Sequence, residues 1–415
     1  MYFTNIIKDI IAASLLSILF IAVSTSCKSS ILVKNQVAYA TVTFQSESDV
    51  VPAAERIALY YPQIQDKKIG LVVNQTSVVD GMHLADTLML MGTDIKRIFA
   101  PEHGFRGKAD AGEHVMDQVD IYTGATVISL YGNKKGPSVE DMEDLDVMIF
   151  DIQDVGVRFY TFISTLHYVM QACADHNIPL IVLDRPNPNG HYIDGPILEK
   201  KYESFVGMHP VPTVYGMTIG EYAKMINGEL WLHEGIQCDL TVIPCKNYDH
   251  NTYYDLPIKP SPNLPNIQSV FLYPSLCLFE GTHVSVGRGT DMQFQIYGHP
   301  SWSDAPSKIK IQSLPGAKYP KHENKSVGYR SLQDLTKESL HKKDGLNMKY
   351  LVEMYQMLTK KGETFFLDNN FFEKLAGTDQ LRSQLKAGKT ADEIRASWES
   401  GVDEFRMTRE KYLLY

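Results

Sequence analysis

Short apolar runs alternate with helix-like patterns along the chain from about residue 56 onward. Residues 68–73 (KIGLVV) and 178–183 (IPLIVL) are nearly continuous apolar runs, the pattern of strands buried on both faces. Residues 83–91 instead place Leu84, Leu88 and Met91 on one helical face. Strands that alternate with helices predict an α/β fold with a mostly parallel sheet. The predicted strands are 68–73, 95–100, 125–130, 145–150, 178–183 and 239–243, and the predicted helices include 83–91, 160–174 and 218–227.

The pattern changes after Cys245. Residues 246–267 are rich in Tyr, Asn, Asp and Pro and show no strong period, which predicts a domain boundary. We therefore expect a larger domain over 51–255 and a smaller α/β domain over 256–415. A length of 415 residues fits two such domains. The second domain is predicted to contain helices near 349–358, 369–375 and 394–412.

The N-terminus carries a different pattern. The run from Ile10 to Val23 has no charged residue and is shorter than the roughly 20 residues that a membrane-spanning helix needs. Small residues and then Cys27 follow this run, which resembles a bacterial lipoprotein signal over 1–26. Ser24 departs from the usual Leu, so a plain secretory signal is the alternative. We expect an exported protein, periplasmic or outer-membrane, anchored to the membrane by a lipid on Cys27 through a polar tether over 27–50.

Composition narrows the functional classes. The chain has 49 acidic and 40 basic residues, a formal charge of −9, which argues against non-specific binding of nucleic acid. The five cysteines form no CxxC pair, so neither a disulfide scaffold nor a structural zinc site is expected.

Polar residues cluster directly after four of the predicted strands. Ligands of open parallel sheets bind in the crevice outside the carboxyl ends of the strands, so these four loops are predicted to share one edge. They contain carboxylates for proton transfer, arginines that can grip an anion, amides that can bind hydroxyl groups, and aromatic rings. That combination is typical of a glycosidase cleft for an anionic substrate. The four segments are 74–76 (NQT), 101–107 (PEHGFRG), 151–160 (DIQDVGVRFY) and 184–190 (DRPNPNG).

Each of these motifs also has a structural interpretation. Glu102 could pair with Arg106, and Asp184 could form a buried pair with Arg185. Asp151 and Asp154 could cap the following helix. His103, His114 and Glu102 could bind a metal, although no HExxH spacing is present. Neither a phosphate-binding glycine loop nor a GxSxG nucleophile elbow occurs.

Two later segments add candidate residues. Residues 209–218 (HPVPTVYGMT) precede a helix, and residues 279–290 (FEGTHVSVGRGT) hold Glu280 and Arg288 among glycines. The second segment could be a plain hairpin. We favour a loop that reaches over the crevice of the first domain.

These motifs together resemble a known family. VNQT, APEHGFRG, DIQDVGVRFYTF, LDRPNPNG, VPTVYGMTIGEYA and FEGTHVSVGRGT, with the closing REKYLLY, are similar to the bacterial exo-β-N-acetylmuramidases. The resemblance spans about 57–415. It implies a Rossmann-like domain beside a smaller α/β domain, no cofactor, and an exo-acting glycosidase of cell-wall recycling. Such an enzyme releases N-acetylmuramic acid from the non-reducing end of peptidoglycan fragments.

The resemblance also suggests roles for individual residues. Glu102 is the expected acid/base, in poorly solvated surroundings near Phe105. Asp154 is the first choice for the second carboxylate, before Asp151 and Glu280, unless the acetamido group of the sugar itself attacks. The sequence leaves open retention or inversion of the anomeric configuration. The expected binders of the lactyl carboxylate are Arg106, Arg158, Arg185 and Arg288. The further expected substrate contacts are Asn74, His103, Asp151, Gln153, Tyr160, Asp184, Asn187, His209, Tyr215 and Glu280.

Two other classes compete with this interpretation. A surface lipoprotein could bind cell-wall saccharides without cleaving them, and composition does not separate it from an enzyme. A nucleotide- or metal-dependent transferase would lose its activity with a chelator, a result that we do not expect.

Overall fold

A computed structural model of the chain describes residues 49–102, 104–106 and 118–415. These residues belong to one compact unit. The predicted signal (1–26) and nearly all of the predicted tether lie outside the described residues. Among the helices that are described, none combines the length and the apolar character needed to cross a membrane.

A seven-stranded sheet forms the larger layer. Its order is β5-β6-β4-β1-β7-β8-β9; β5 is antiparallel to β6, and the other neighbours are parallel. The predicted α/β fold is therefore confirmed, and all six predicted strands are present. The strands are β1 (Lys68–Val73), β4 (Asp94–Ala100), β5 (Gln118–Val119), β6 (Thr126–Ser129), β7 (Val147–Asp151), β8 (Leu180–Leu183) and β9 (Leu240–Ile243), and β2 (Val78–Val79) pairs with β3 (Met82–His83) outside this sheet.

The strand order reverses between β1 and β7. From β1 the chain proceeds through β4 to β6 on one side, and from β7 through β8 to β9 on the other. In open α/β sheets, ligands bind outside the carboxyl ends of the strands at this point of reversal. Val73 is aligned with Asp151 across the two strands, so the segments beginning at Asn74 and Ile152 emerge side by side there.

Helices cover the sheet where the apolar patterns predict them. The helix Ile219–Gly228 (α5) begins with a capping box: the Thr218 hydroxyl accepts from the backbone of Glu221, whose carboxylate accepts from the backbone of Thr218. The helices of this half are α1 (Tyr61–Ile64), α2 (Leu84–Leu90), α3 (Val139–Met142), α4 (Phe162–His176) and α5 (Ile219–Gly228).

Successive residues of each strand enter two different cores. Val72 packs in one apolar cluster, and Leu71 and Val73 pack in the other, because neighbouring side chains of a strand point to opposite faces. The first cluster continues into the second half of the chain through Leu351 and Phe372. The two halves therefore share buried apolar surface.

The second half combines a small antiparallel sheet with short helices. Its strands have the order β10-β12-β11. The predicted helix over 394–412 is divided near Trp398, whose indole donates to buried Asp194 instead of facing solvent. The predicted boundary at 255/256 stays a prediction. The elements are α6 (Ile267–Leu276), β10 (Ile296–His299), β11 (Ser307–Lys310), β12 (Ser326–Ser331), α7 (Lys337–His341), α8 (Lys349–Lys360), α9 (Phe371–Ala376), α10 (Gln380–Lys386), α11 (Ala391–Ala396) and α12 (Glu399–Glu410).

Candidate active site

The loops after β1 and β7 are joined by hydrogen bonds where the strand order reverses. The side-chain oxygen of fully buried Asn74 accepts from the backbone and the hydroxyl of Thr76, at 2.9 and 2.6 Å. The Thr76 hydroxyl in turn accepts from the backbone N–H of Gln153 at 3.0 Å. The amide nitrogen of Asn74 has no partner. A buried donor without a partner is costly, which marks this position as a candidate ligand contact.

Asp154 is a buried carboxyl without a cationic partner. Its Oδ2 accepts from the backbone of Gly156 at 2.8 Å and from the hydroxyl of Tyr215, whereas Oδ1 has no partner. Burial raises the pKa of Asp154 to about 6, although these hydrogen bonds oppose the shift. The group can therefore gain or lose a proton near neutral pH.

Glu102 lies after β4 and is half-buried. The Thr161 hydroxyl donates to its Oε2 at 3.3 Å. Burial raises the pKa of the neighbouring Tyr160 phenol well above its usual value, and the charges of Asp154 and Glu102 raise it further. Tyr160 therefore lies within electrostatic reach of both carboxylates. Phe105, the predicted apolar neighbour of Glu102, packs edge-on against His83.

The second half of the chain contributes charge near Glu102. Arg288 pairs with Glu280 at 3.0 Å. Burial lowers the pKa of Arg288, but the charge of Glu280, together with weaker influences of the same sign, outweighs this effect and the pKa is raised. The charge of Glu102 is one of these weaker influences. Lys321 donates to the backbone oxygens of Phe279 and Glu280 at 2.8 and 2.9 Å. The segment 279–290 thus brings Arg288, paired with Glu280, within electrostatic reach of Glu102, and Lys321 binds the backbone of the same segment.

Arg106 and Arg185 are occupied by carboxylates. Arg106 contacts Asp86 and Asp120, each at 3.1 Å, so its partner is not Glu102. Arg185 forms a two-pronged pair with Asp151, at 2.5 and 2.9 Å, and both side chains are buried. Arg185 is therefore in a buried ion pair, as the structural interpretation expects, but its partner is Asp151 and not Asp184.

Arg158 is fully buried and serves the backbone. Its guanidinium donates to four carbonyl oxygens, two of which are the last carbonyls of α9. Desolvation lowers the pKa of Arg158 to about 10. This geometry favours a role in joining distant segments over a role in binding substrate. The acceptors are Pro196, Val211, Leu375 and Ala376.

Asp184 is also engaged in structure. Its carboxylate accepts from the Thr218 hydroxyl at 2.7 Å, the Gly220 backbone at 2.8 Å and the Tyr415 hydroxyl at 2.7 Å. Burial raises the pKa of Asp184 to about 7. The group thus joins the start of α5 to the end of the chain.

The remaining predicted contacts are mostly bonded to the protein itself. Gln153 donates to the carbonyls of Asp154 and Pro186, and Asn187 donates to Met217 at 2.8 Å. Tyr160 donates to the Pro260 carbonyl at 2.8 Å. His103 lies outside the described residues.

His209 lines a different cavity. Its ring nitrogens contact Tyr222 at 3.0 Å and His167 at 2.9 Å, and its ring stacks on Trp231. His167 and Trp231 line this cavity of about 470 Å³ with it. Among the described residues, no contact links His209 to Glu102.

The sequence interpretation missed three polar residues at the site: Thr76, Thr161 and Lys321. Thr76 and Thr161 stand in the motifs VNQT and DIQDVGVRFYTF, so their closeness in sequence to Asn74 and Tyr160 could have identified them. Lys321 belongs to no motif, and its position depends on the fold of the second half. Among the described residues, no group of three or more His, Cys, Asp and Glu is arranged to hold a metal ion.

Comparison with known proteins gives concordant matches over nearly the whole described chain. Residues 69–268 match a family model described as "Exo-beta-N-acetylmuramidase NamZ, N-terminal", and residues 271–415 match its C-terminal counterpart. The chain is 38% identical over 377 residues to "Peptidoglycan beta-N-acetylmuramidase NamZ" of Bacillus subtilis, covering 86% of this chain and 89% of the relative.

Two crystal structures of DUF1343 family proteins from Bacteroides fragilis have the same fold. One is 47% identical with a TM-score of 0.82, and the other is 26% identical with a TM-score of 0.74. Each match covers 89% of this chain and 99% of the crystallised chain.

Proposed function

The chain belongs to the exo-β-N-acetylmuramidase NamZ family, and on that premise we propose that it releases N-acetylmuramic acid from the non-reducing end of peptidoglycan fragments. The observation that carries the proposal is the hydrogen bond from Thr161 to Glu102, which joins the loop after β4 to the segment after β7 that holds Asp154, beside the point where the strand order reverses. Two carboxyl groups are the usual requirement for glycoside hydrolysis.

Glu102 acts as the acid/base in this proposal. It donates a proton to the glycosidic oxygen as the bond to the anomeric carbon breaks and a nucleophile, either the Asp154 carboxylate or the acetamido oxygen of the sugar, bonds to that carbon. Glu102 then accepts a proton from water, whose oxygen displaces the nucleophile from the anomeric carbon. The half-buried position of Glu102 and the hydroxyl of Thr161 support this role, because they orient the carboxyl while leaving it open to a ligand.

Asp154 is the preferred second carboxylate. Asp151 is neutralised by Arg185 and Glu280 is paired with Arg288, whereas Asp154 has one unpartnered oxygen and no cation. If the acetamido oxygen of the sugar attacks instead, a carboxylate is still needed to orient and polarise that group. Asp154 suits both schemes, and the unpartnered amide of Asn74 supplies a donor for the sugar.

Arg288 and Lys321 bind the lactyl carboxylate that distinguishes N-acetylmuramic acid from N-acetylglucosamine. Arg288 pairs with the Glu280 carboxylate, whereas Lys321 donates to backbone oxygens, so two cations accompany this one carboxylate although the whole chain is acidic. A charged guanidinium or ammonium gives strong hydrogen bonds to a carboxylate.

The direct test uses a chromogenic β-glycoside of N-acetylmuramic acid. Glu102→Gln should abolish release of the chromophore while retaining affinity, because the amide keeps the shape of the side chain but cannot act as a general acid or base. Exposed Glu404→Gln is the matched control and should retain wild-type activity. Binding without turnover by the wild type would support the competing class of non-catalytic surface lipoproteins.

Export is a separate part of the proposal. The resemblance of residues 1–27 to a lipoprotein signal supports attachment to a membrane through Cys27, on the periplasmic side or at the outer membrane. Labelling with a fatty-acid analogue should modify the wild type but not Cys27→Ser. Equal labelling of the two would contradict the anchor.

A further inference from the structure

Tyr215 is the residue whose side chain donates a hydrogen bond to the Asp154 carboxyl. Its ring is fully buried, and its hydroxyl donates to Asp154 Oδ2. The other donor to that oxygen is the backbone N–H of Gly156 at 2.8 Å. With Oδ2 held by two donors, the plane of the carboxyl is fixed and the unpartnered Oδ1 is the oxygen left for another group.

The backbone around Tyr215 is held by three separate segments. Val214 exchanges two hydrogen bonds with Asp194, at 2.9 and 3.1 Å, and also forms a bridge with Val157. On the other side of Tyr215, the guanidinium of Arg409 donates to the carbonyl of Gly216 at 2.8 Å. The hydroxyl is therefore carried by a constrained segment rather than by a free loop.

The side chain is also packed from behind. The Tyr215 ring lies 4.9 Å from the ring of Tyr222, whose hydroxyl contacts Nδ1 of His209 at 3.0 Å. His209 stacks on Trp231 with 4.6 Å between the ring centroids. This buried stack restricts rotation of the Tyr215 ring away from Asp154, because interiors are close-packed.

The groups around Asp154 come from three elements. Tyr160, whose phenol feels the charges of both Asp154 and Glu102, lies in the segment before α4, and Tyr215 lies in the segment before α5. Tyr222 lies within α5, with the Arg158 guanidinium near its hydroxyl. In the hydrogen bonds of the described residues, only Tyr215 among these side chains donates directly to Asp154.

We propose that Tyr215 is a positioning residue of the reaction, whose hydroxyl orients the Asp154 carboxyl and stabilises its ionised form. The catalytic consequence rests on the proposed function, whereas the link between the two side chains does not. A donor to a carboxylate favours the charged state, so its removal makes Asp154 harder to ionise. The sequence interpretation had placed Tyr215 among the substrate contacts, and this assignment gives it a different task.

The test compares Tyr215→Phe with the wild type in two titrations. Carbon-13 NMR of the Asp154 carboxyl without substrate should show a midpoint raised by about one pH unit or more in the variant. The limb of the kcat/KM profile that reports Asp154 should move in the same direction by a similar amount. Tyr222→Phe is the matched control, because its hydroxyl contacts His209 and not Asp154, and it should move neither midpoint appreciably.

The outcomes separate this proposal from the proposed function. An unchanged NMR midpoint overturns the link between Tyr215 and Asp154. A shifted NMR midpoint with an unchanged rate profile overturns the role of Tyr215 in the reaction. Absence of turnover by the wild type contradicts the proposed function, yet leaves the NMR titration interpretable. If Tyr215→Phe is poorly stable, kcat in the Asp154→Asn background provides a second measurement: adding Tyr215→Phe there should cost little further, and a full additive loss would contradict the proposal.

Discussion

Asp151 is the last residue of β7 and Asp154 follows three positions later; both are buried, but their surroundings are opposite. Asp151 is gripped by the Arg185 guanidinium through two hydrogen bonds. Asp154 receives a phenol and a backbone N–H, has one unpartnered oxygen, and meets no cation. Burial alone therefore does not identify a functional carboxylate. The group that lacks a neutralising partner is the one available for proton transfer or for a substrate.

The largest expected difference between the two carboxyls is in stability. Asp151→Asn should lower the free energy of unfolding by about 3–5 kcal/mol, because it leaves the buried Arg185 without its countercharge. Asp154→Asn removes no ion pair and should change the free energy by less than about 1 kcal/mol at pH 6. Denaturant titration of both variants measures the difference.

The control for that comparison is an exposed pair. Arg406 and Asp403 lie 2.7 Å apart on the surface of α12, so Arg406→Met should cost no more than about 1 kcal/mol. Equal losses for Asp151→Asn and Asp154→Asn would mean that the Asp151–Arg185 pair is not what distinguishes the two sites.

The second expected effect is a dependence of stability on pH. Burial raises the pKa of Asp154 from 3.8 to about 6 and that of Asp184 from 3.8 to about 7. Between pH 3.8 and about pH 7 the folded chain therefore binds more protons than the unfolded chain, so the free energy of unfolding falls as the pH rises. For Asp154 the loss is on the order of 3 kcal/mol between pH 4 and pH 7.

Thermal unfolding across this range measures the effect. Asp154→Asn should flatten the fall between pH 4 and pH 6, and Asp184→Asn should flatten mainly its upper part. A slope in the wild type that neither variant changes would assign the titration to other groups.

The third expected effect concerns the cations. Arg185 is fully engaged by the Asp151 carboxylate, whereas Lys321 donates to the backbone oxygens of Phe279 and Glu280. Lys321→Met should therefore lower kcat/KM for a muramic-acid glycoside by about tenfold, because a charge-assisted bond to the lactyl group is lost. The same variant should leave the inhibition of this turnover by free N-acetylglucosamine unchanged, because that sugar has no lactyl group. Equal losses of kcat/KM and of inhibition would show that Lys321 supports the fold rather than selecting the substrate.

The sequence was sufficient for the parts of the structure that depend on local pattern. Continuous apolar runs predicted β1 and β8, and the polar residues after β1, β4 and β7 do lie near one another. The parts that it could not supply depend on partners that are distant along the chain. Arg158 has the appearance of an anion-binding arginine, yet its acceptors at Leu375 and Ala376 are 217 and 218 residues away. Arg185 likewise finds Asp151 rather than its neighbour Asp184, because the loops after β7 and β8 are adjacent in the sheet.

The most direct test of the account is product analysis with a disaccharide in which N-acetylmuramic acid is linked β-1,4 to N-acetylglucosamine and occupies the non-reducing end. The account predicts that the wild type releases both free sugars, that Glu102→Gln releases neither, and that the disaccharide with the opposite order of sugars is left intact. Release from the opposite disaccharide, or undiminished release by Glu102→Gln, would contradict it.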